Sequence, residues 1–314
     1  MTVNVTDALS LGPGAEFDAI RRMSERWGKR ATGLGDDAAI LRVPRGDALV
    51  VSTDTAVEGR HFKRDWLSPR EIGYRAVVAA LSDLAAMAAD PIGVLIALTV
   101  PDAWRPDILE IADGVGDAVD VAKTHIVGGN LSGGSELSMT TTVLGAAFEP
   151  LRRSGARLHD RVYVTGELGG PAEAVSRLSV GQSAGVFRDR FARPIPRLAE
   201  ARWLIENGAT AGIDVSDGLV ADLQHVAAAS AVAIDIDDRR IPAFADADAT
   251  SALHGGDEYE LIVTASREFD CDEFRRRFGI RLSEIGRVIE SASGDVTVRG
   301  ARVANAAGYD HFSR

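Results

Sequence analysis

The sequence predicts an α/β (α+β) protein of two domains, and three observations lead to this prediction. Segments with helical periodicity alternate with short apolar segments along the chain, which is the pattern of layered helices and sheets. The 314 residues, 46% of them hydrophobic, can form one large core or two smaller ones. Gly and Ala are abundant while aromatic residues make up only 6%, which favours close packing of helices on sheets.

The first half of the chain is predicted to contain three helices and four strands. Phe17, Ile20 and Met23 recur at helical spacing, and Pro91 ends a long Ala-rich helix. The predicted helices cover residues 16–27, 69–89 and 107–121, and the predicted strands cover residues 48–52, 93–100, 125–127 and 137–148.

A polar segment at residues 149–155, EPLRRSG, contains Pro and Gly and marks a domain boundary. We therefore predict an N-terminal α/β domain over residues 1–150 and a C-terminal α/β domain over residues 151–314. Beyond the boundary, the predicted strands cover residues 161–165, 232–236, 259–264 and 282–288, and the predicted helices cover residues 196–207 and 219–229.

Charge and composition exclude several classes of partner. The formal net charge of -11 repels nucleic acid and anionic membranes. The single cysteine, Cys271, cannot form an internal disulfide, which indicates a reducing compartment. Residues 1–12 lack the pattern of a signal peptide, and the longest apolar segment, 93–100, is too short to span a bilayer. We expect a soluble, cytoplasmic protein.

Acidic residues cluster after predicted strands and beside Gly, Ser or Thr. Four such clusters contain Asp36 and Asp37, Asp54, Asp214 and Asp217, and Asp257 and Glu258. Magnesium prefers oxygen ligands, usually one or two carboxylates together with phosphates and water. Each acid alone could equally cap a helix or stabilise a turn. Four clusters of one kind favour several metal ions over four separate caps.

Two further segments carry polar groups in unusual settings. Asp83 lies inside a predicted helix among small apolar residues, so we expect its carboxylate to face solvent, a hydrogen-bond partner or a metal. Residues 128–134, GGNLSGG, follow an apolar strand, and the backbone of such a loop can approach a phosphate closely, although tight turns use the same residues. The Walker A and kinase-type glycine motifs do not occur.

Taken together, eight segments resemble the thiamine-monophosphate kinase family, from the superfamily that includes aminoimidazole ribotide synthetase and selenophosphate synthetase. They are GDDAA (35–39), STDTAVEGRHF (52–62), ALSDLAAMAADP (80–91), VGGN (127–130), RSGARLHDRVYVTGELG (153–169), IDVSDGL (213–219), GGDEYEL (255–261) and GYDHF (308–312). The resemblance implies magnesium-dependent transfer of the ATP γ-phosphoryl group to thiamine monophosphate, giving thiamine diphosphate. It also implies a homodimer joined through the N-terminal sheet, with ATP in a cleft between the domains.

The resemblance further implies roles for individual residues. Carried over by position, the magnesium ligands are Asp36, Ser52, Thr53, Asp54, Asp83, Asn130, Asp214 and Asp217. The implied ATP contacts are Gly129, Asn130, Arg153 and Ser216, and the implied substrate contacts are His61, Asp257 and Phe312. No general base is expected, because the acceptor is already a phosphate oxyanion, and metal ions with good positioning can overcome the repulsion between two polyanions.

Two positions depart from the family pattern. Asn130 stands where the family usually has Asp, so we expect one weaker magnesium site. Asp257 and Glu258 are exchanged relative to the usual GGED, which bears on the contact with the thiamine moiety. Two alternatives remain open: a related ATP-dependent enzyme acting on another small substrate, and a non-catalytic nucleotide-binding protein.

Overall fold

A computed structural model describes residues 15–32, 34, 39–290 and 294–303. These residues form two compact units. The first contains the described residues up to Leu84 together with Asp90–Glu149, and the second contains Ala85–Ala89 and the described residues from Pro150 on. The predicted two-domain α/β fold is confirmed. A single boundary near residue 150 does not anticipate that Ala85–Ala89 groups with the second unit.

The first unit is a four-stranded sheet with helices. Its helices are α1 (Ala15–Trp27), α2 (Pro69–Ala86, whose last two residues belong to the second unit) and α3 (Ile108–Ala122), and its strands are β1 (Ala48–Val57), β2 (Asp90–Val100), β3 (Ile126–Gly133) and β4 (Ser138–Ala147). The strand order is β1-β4-β2-β3. β4 runs antiparallel to both β1 and β2, while β3 runs parallel to β2 after the crossover through α3.

Three strands of this sheet, β1, β2 and β3, are longer than the sequence predicts. β1 does not end at Ser52 but continues to Val57, because its threonines meet threonines of β4 across the sheet. The Thr53 and Thr142 hydroxyl oxygens are 3.0 Å apart, and those of Thr55 and Thr140 are 2.9 Å apart. Polar residues therefore form the last part of this edge strand. A prediction based on the spacing of apolar residues does not detect that part.

The glycine-rich segment after residue 127 forms part of β3, so its assignment to a loop is wrong. A Cβ atom added at Gly129 would lie 2.0 Å from the carbonyl oxygen of Ile96 in β2. This close approach of the two backbones requires glycine, and it gives Gly129 a structural reason of its own.

Helices α2 and α3 also meet at a glycine. A Cβ atom at Gly114 would lie 1.9 Å from the carbonyl oxygen of Arg70, so no larger residue fits at this crossing. The close contact buries most of α2, including Val77, Leu81 and Leu84, which are fully buried. Because the helix is apolar on nearly all sides, it forms the interior of the unit.

The second unit is a seven-stranded mixed sheet. Its strands are β5 (Arg161–Thr165), β6 (Ala209–Asp214), β7 (Ala233–Ile236), β8 (Leu261–Ala265), β9 (Leu282–Ile289), β10 (Val296–Val298) and β11 (Ala301–Arg302), in the order β11-β10-β7-β9-β5-β8-β6. Its helices are α4 (Gly170–Ser179), α5 (Arg188–Ala192), α6 (Leu198–Glu206), α7 (Leu219–Ser230), α8 (Ala249–His254) and α9 (Cys271–Phe278).

Both faces of this second sheet are covered. Val162 and Val164 of β5 join a cluster that includes Leu219 and Leu223 of α7, while Tyr163 faces the opposite side. On that opposite side the core contains residues of α6 and α9. A strand buried on both faces reads as a continuous apolar run, which explains why β5 is predicted with its observed ends.

A buried ionic network joins α6, β5 and β8. The Glu260 side chain is fully buried and accepts hydrogen bonds from Arg197 Nη2 (2.6 Å) and from the Thr165 hydroxyl (2.7 Å). Arg190 donates to the same carboxylate at 3.0 Å, and Arg197 also pairs with Glu200. Although burial opposes ionisation, Arg197, Arg190 and Thr165 together hold the pKa of Glu260 below its ordinary value.

Cys271 opens α9 as a half-buried thiol. Burial and the neighbouring Glu268 raise the pKa of this thiol, which agrees with a structural role. Across the described part of the chain, no helix combines the length and the apolar character that crossing a membrane requires.

Candidate functional site

Three of the implied magnesium ligands belong to one face of β1 in the first unit: Ser52 and Asp54 lie on the strand, and Asp83 on α2 contacts Ser52. The Ser52 hydroxyl donates to the Asp83 carboxylate on α2, which gives Asp83 the hydrogen-bond partner that was one of its three predicted environments. Because side chains alternate along a strand, Asp54 lies on the same face as Ser52. Thr53 faces the other side, where it contacts Thr142.

The structure does not bring Asn130 beside Asp54 within one chain. β1 and β3 are the opposite edges of the sheet, three strand spacings or about 14 Å apart. In the register across the sheet, Asp54 is level with Gly129, whereas Asn130 is level with Thr55. Asn130 and Asp54 therefore lie on different edges and different faces of the sheet.

His61 lies in the turn that follows β1. Its Nδ1 accepts a hydrogen bond from the backbone N–H of Val57 at 3.0 Å, so in the neutral ring Nε2 carries the proton. The backbone N–H of His61 in turn donates to the Val57 carbonyl at 3.0 Å. Both bonds fix the imidazole ring close to the end of the strand that carries Asp54, in the orientation of a hydrogen-bond donor.

In the second unit, the structure brings together Asp214, Ser216, Asp217 and Asp257. Asp214 ends β6, and the loop 215–218 connects it to α7. The backbone N–H of Asp257 donates to the Ser216 carbonyl at 2.8 Å, so the two predicted clusters form one site. These residues lie at strand ends, where α/β folds place ligands.

Asp222 on the first turn of α7 holds this loop in place, and the sequence analysis did not identify it. Its Oδ2 accepts hydrogen bonds from three consecutive backbone N–H groups, those of Ser216 (3.0 Å), Asp217 (3.1 Å) and Gly218 (3.1 Å). Burial, followed by the charges of Asp214 and Asp217, raises the pKa of Asp222 to about 8. The charges of Asp214 and Asp217 therefore lie close enough to Asp222 to disfavour its ionisation.

The donor atoms of both units suit a hard cation such as magnesium. Those of the first unit are hydroxyl and carboxylate oxygens, and in the second unit carboxylate oxygens of Asp217 and Asp222 lie within 4.8 Å of each other and of a ring nitrogen of His225. The raised pKa of Asp222 reflects mutual repulsion and burial of carboxylates, and a bound cation would relieve that repulsion. The residues present thus fit magnesium.

Arg153, an implied ATP contact, lies apart from this cluster. Its carbonyl accepts a hydrogen bond from the Ser230 hydroxyl at the C-terminal end of α7, whereas Ser216 precedes the N-terminal end. α7 has 12 residues and is about 18 Å long. Arg153 and Ser216 therefore lie at opposite ends of one helix.

The segment that carries Asp257 has an unusual backbone. Asp257 and Tyr259 both have positive φ, +64° and +55°, and the Tyr259 hydroxyl donates to Asp257 Oδ1 at 2.9 Å. Positive φ at a residue other than glycine costs about 1–3 kcal/mol and needs support from the surrounding structure. Positive φ is rare for a bulky residue, so the backbone of Tyr259 is a genuine outlier.

Glu258, between these two residues, points into the protein. Its side chain is fully buried, accepts a hydrogen bond from the backbone N–H of Gly169 and lies 3.5 Å from Arg190 Nη2. Burial raises the pKa of Glu258 to about 8, while Arg190 opposes this shift. The same Arg190 donates to the Glu167 carbonyl at 2.8 Å and to Glu260, so Glu258 belongs to the buried network.

Some of the residues missed by the sequence analysis had a detectable signal. Asp222 lies in the first turn of α7, where an acid commonly binds backbone N–H groups. Glu258 was named in the acidic cluster with Asp257, but its inward direction had no signal, because it lies before β8 between two residues of positive φ. Arg190 is remote in sequence and had no local signal. Asp36 and Phe312 lie outside the described residues.

Comparison with known proteins agrees with the motifs. The family model of the AIR synthase related protein, N-terminal domain, matches residues 35–147, and that of the C-terminal domain matches residues 159–299. The thiamine-monophosphate kinase of Salmonella typhimurium is 35% identical over 325 residues, which cover 95% of this chain and 98% of that protein.

Solved structures give the same result. The crystal structure of thiamine-monophosphate kinase from Stenotrophomonas maltophilia K279a is 33% identical with a TM-score of 0.82, covering 92% of this chain and 98% of that one. The structure of AaThiL complexed with AMPPCP and TMP is 28% identical with a TM-score of 0.76, covering 94% and 96%. The resemblance is confirmed, and the chain belongs to the thiamine-monophosphate kinase family of AIR synthase related proteins.

Proposed function

We propose that the protein phosphorylates thiamine monophosphate with ATP and magnesium, by direct in-line transfer, to give thiamine diphosphate. The observation that carries this proposal is the match to thiamine-monophosphate kinases over 95% of the chain, which includes both domains. The relative complexed with AMPPCP and TMP supports ATP and thiamine monophosphate as the two substrates. The oxygen donors on one face of β1 and at the end of β6 support magnesium.

In this proposal, different residues of the chain bind magnesium and the two substrates. Ser52, Asp54 and Asp83 in the first unit, and Asp214 and Asp217 in the second, would hold magnesium. When bound, magnesium neutralises phosphate charge and polarises the transferred phosphoryl group. These carboxylates fix where that positive charge lies.

Other residues of the chain contact the substrates directly in this proposal. His61 Nε2 donates a hydrogen bond toward the acceptor, in the orientation that its Nδ1 contact enforces. Asp257 contacts the thiamine moiety. Ser216 contacts ATP from the loop that Asp222 holds. No side chain removes a proton, because the acceptor phosphate oxygen is already ionised.

The choice of acceptor tests the function directly. With ATP and magnesium, we expect turnover of thiamine monophosphate, and turnover of free thiamine slower by at least about a hundredfold, because a site built to bind a phosphate discriminates strongly against an analogue that lacks it. Formation of thiamine diphosphate, measured by chromatography, decides between the two acceptors. Equal or faster phosphorylation of free thiamine would exclude the proposed substrate.

Asp83→Asn tests the metal role in the first unit. The amide is isosteric and can still accept the hydrogen bond from Ser52, so we expect the melting temperature without ligand to change by less than about 3 °C. Activity should fall at least about tenfold, because a charged metal ligand is lost. Asp120→Asn, at an exposed carboxylate paired with Arg30, is the matched control. If the melting temperature of Asp83→Asn is markedly lower than that of the parent protein and its magnesium dependence is unchanged, Asp83 is purely structural.

Asp222→Ala tests the support of the second-unit loop. It removes the acceptor of three backbone N–H groups, so we expect the magnesium concentration for half-maximal rate and the KM for ATP to rise at least about tenfold, with Asp222→Asn intermediate. Asp160→Ala is the control, because Asp160 is equally buried and binds Arg157 and Thr210 at the other end of β6. If both alanine variants change the magnesium dependence equally, the effect is general destabilisation.

We also propose that the protein is a homodimer joined through the β1-β4-β2-β3 sheet. Leu49 and Val51, on the face of β1 away from Ser52, are 51% and 54% exposed, which supports an interface there. Val51→Glu should therefore convert a dimer into a monomer in sedimentation velocity. Val180→Glu, at an apolar residue 69% exposed in the second unit, should leave the dimer intact. A monomeric parent protein would contradict this proposal.

A further inference from the structure

Glu258 and the two residues beside it form an arrangement that no sequence motif explains. The side chain of Glu258 is fully buried, while its neighbours Asp257 and Tyr259 both have left-handed backbone conformations. Such conformations persist only where the surroundings enforce them, and they concentrate at functional sites. At this segment the contacts of Glu258 and of its two neighbours enforce them.

Two sets of contacts hold the segment in place. On one side, the backbone N–H groups of Asp257 and Tyr259 donate to the carbonyls of Ser216 (2.8 Å) and Val215 (2.9 Å). On the other side, the Glu258 carboxylate binds the Gly169 N–H and faces Arg190. The Glu258 side chain is thus fixed inward between two residues of left-handed backbone conformation.

Residues other than Glu258 also hold Arg190 in place. Its Nη2 donates to the Glu167 carbonyl (2.8 Å) and to Glu260 (3.0 Å), and its guanidinium lies over the ring of Phe244 at 5.4 Å. Gly170 leaves room for this side chain, because a Cβ atom there would lie 2.9 Å from Arg190 Cβ. Arg190 is therefore a preorganised partner and not a surface charge that happens to reach the acid.

The consequence of the buried anchor is the direction of the Asp257 carboxylate. With Glu258 inward, Asp257 stays half-buried at the surface of the site, and the Tyr259 hydroxyl donates to its Oδ1. A carboxylate oriented in this way offers its charge to a cation or an N–H donor. A thiazolium ring and an aminopyrimidine, the two rings of thiamine, are such groups.

We propose that Glu258 and Arg190 are positioning residues, which hold Asp257 and Tyr259 so that the Asp257 carboxylate meets the cationic organic part of the acceptor. This inference rests on the proposed function for the identity of the acceptor. It assigns specificity for the acceptor to a buried contact between a carboxyl group and a guanidinium group, neither of which touches the acceptor. The nucleotide side of the site, carried by Ser216, is held mainly by the three N–H contacts of Asp222, so we expect it to depend less on this pair than the acceptor side does.

Glu258→Ala tests the proposal through the separation of the two substrates. The KM for thiamine monophosphate should rise at least tenfold while the KM for ATP changes less than threefold. Glu258→Gln, which keeps an acceptor for the Gly169 N–H, should restore most of the loss. Glu200→Ala is the control, because Glu200 is a buried acid of the same network that contacts Arg197 away from the segment.

A measurement without turnover keeps the test independent of the proposed function. Hydrogen exchange of the Asp257 and Tyr259 amides should accelerate at least tenfold in Glu258→Ala but not in Glu200→Ala. Arg190→Met, which keeps the Gly169 contact, should give a smaller change of the same kind if the alanine variant does not fold. Unchanged exchange, or equal shifts of both KM values, would overturn the proposal. An absence of turnover by the parent protein with normal exchange differences would instead overturn only the assigned substrate.

Discussion

Repulsion between carboxylates is the constraint on which the second unit depends. Asp214, Asp217 and Asp222 gather at the end of β6, and Glu258 and Glu260 lie in the segment just before β8, which a hydrogen bond from the Asp257 N–H to the Ser216 carbonyl joins to this loop. In a partly dry environment such charges cannot stay together without compensation. In the described residues the fold supplies two kinds of compensation: backbone N–H groups for Asp222, and arginines for Glu258 and Glu260.

These kinds of compensation divide the acids by function. Glu260 has two arginines and a threonine hydroxyl, so it stays ionised without help and serves as a fixed part of the core. Asp222 has N–H groups but no arginine contact, and its pKa rises to about 8. Two arginines thus keep Glu260 ionised inside the core, whereas three backbone N–H groups do not offset burial and the charges of Asp214 and Asp217 at Asp222.

The sequence predicted the fold better at apolar elements than at polar ones. β5, α1 and α7 were found to within a residue or so because their burial leaves a periodic apolar pattern. β1 and β3 were cut short, since threonine pairs and required glycines continue these strands without apolar periodicity. The site residues on loops followed from the motifs, but the register that puts Asn130 and Asp54 on different faces is a property of the whole sheet.

The exchange of Asp257 and Glu258 shows why the remaining part of the site could not be read from sequence. At the level of motifs, the exchange only raised the question of which acid meets the ligand. The structure supplies a reason for the order: Glu258 is the longer acid, and it spans to both the Gly169 N–H and Arg190. An aspartate at that position would be one methylene shorter, so it could not make both contacts without movement of the strained backbone. The acid that remains half-buried is the shorter one, Asp257, whose carboxylate accepts a hydrogen bond from the Tyr259 hydroxyl. The departure from the motif therefore fits the distance between Glu258 and Arg190. These two residues are 68 positions apart in sequence, so no local pattern encodes their contact.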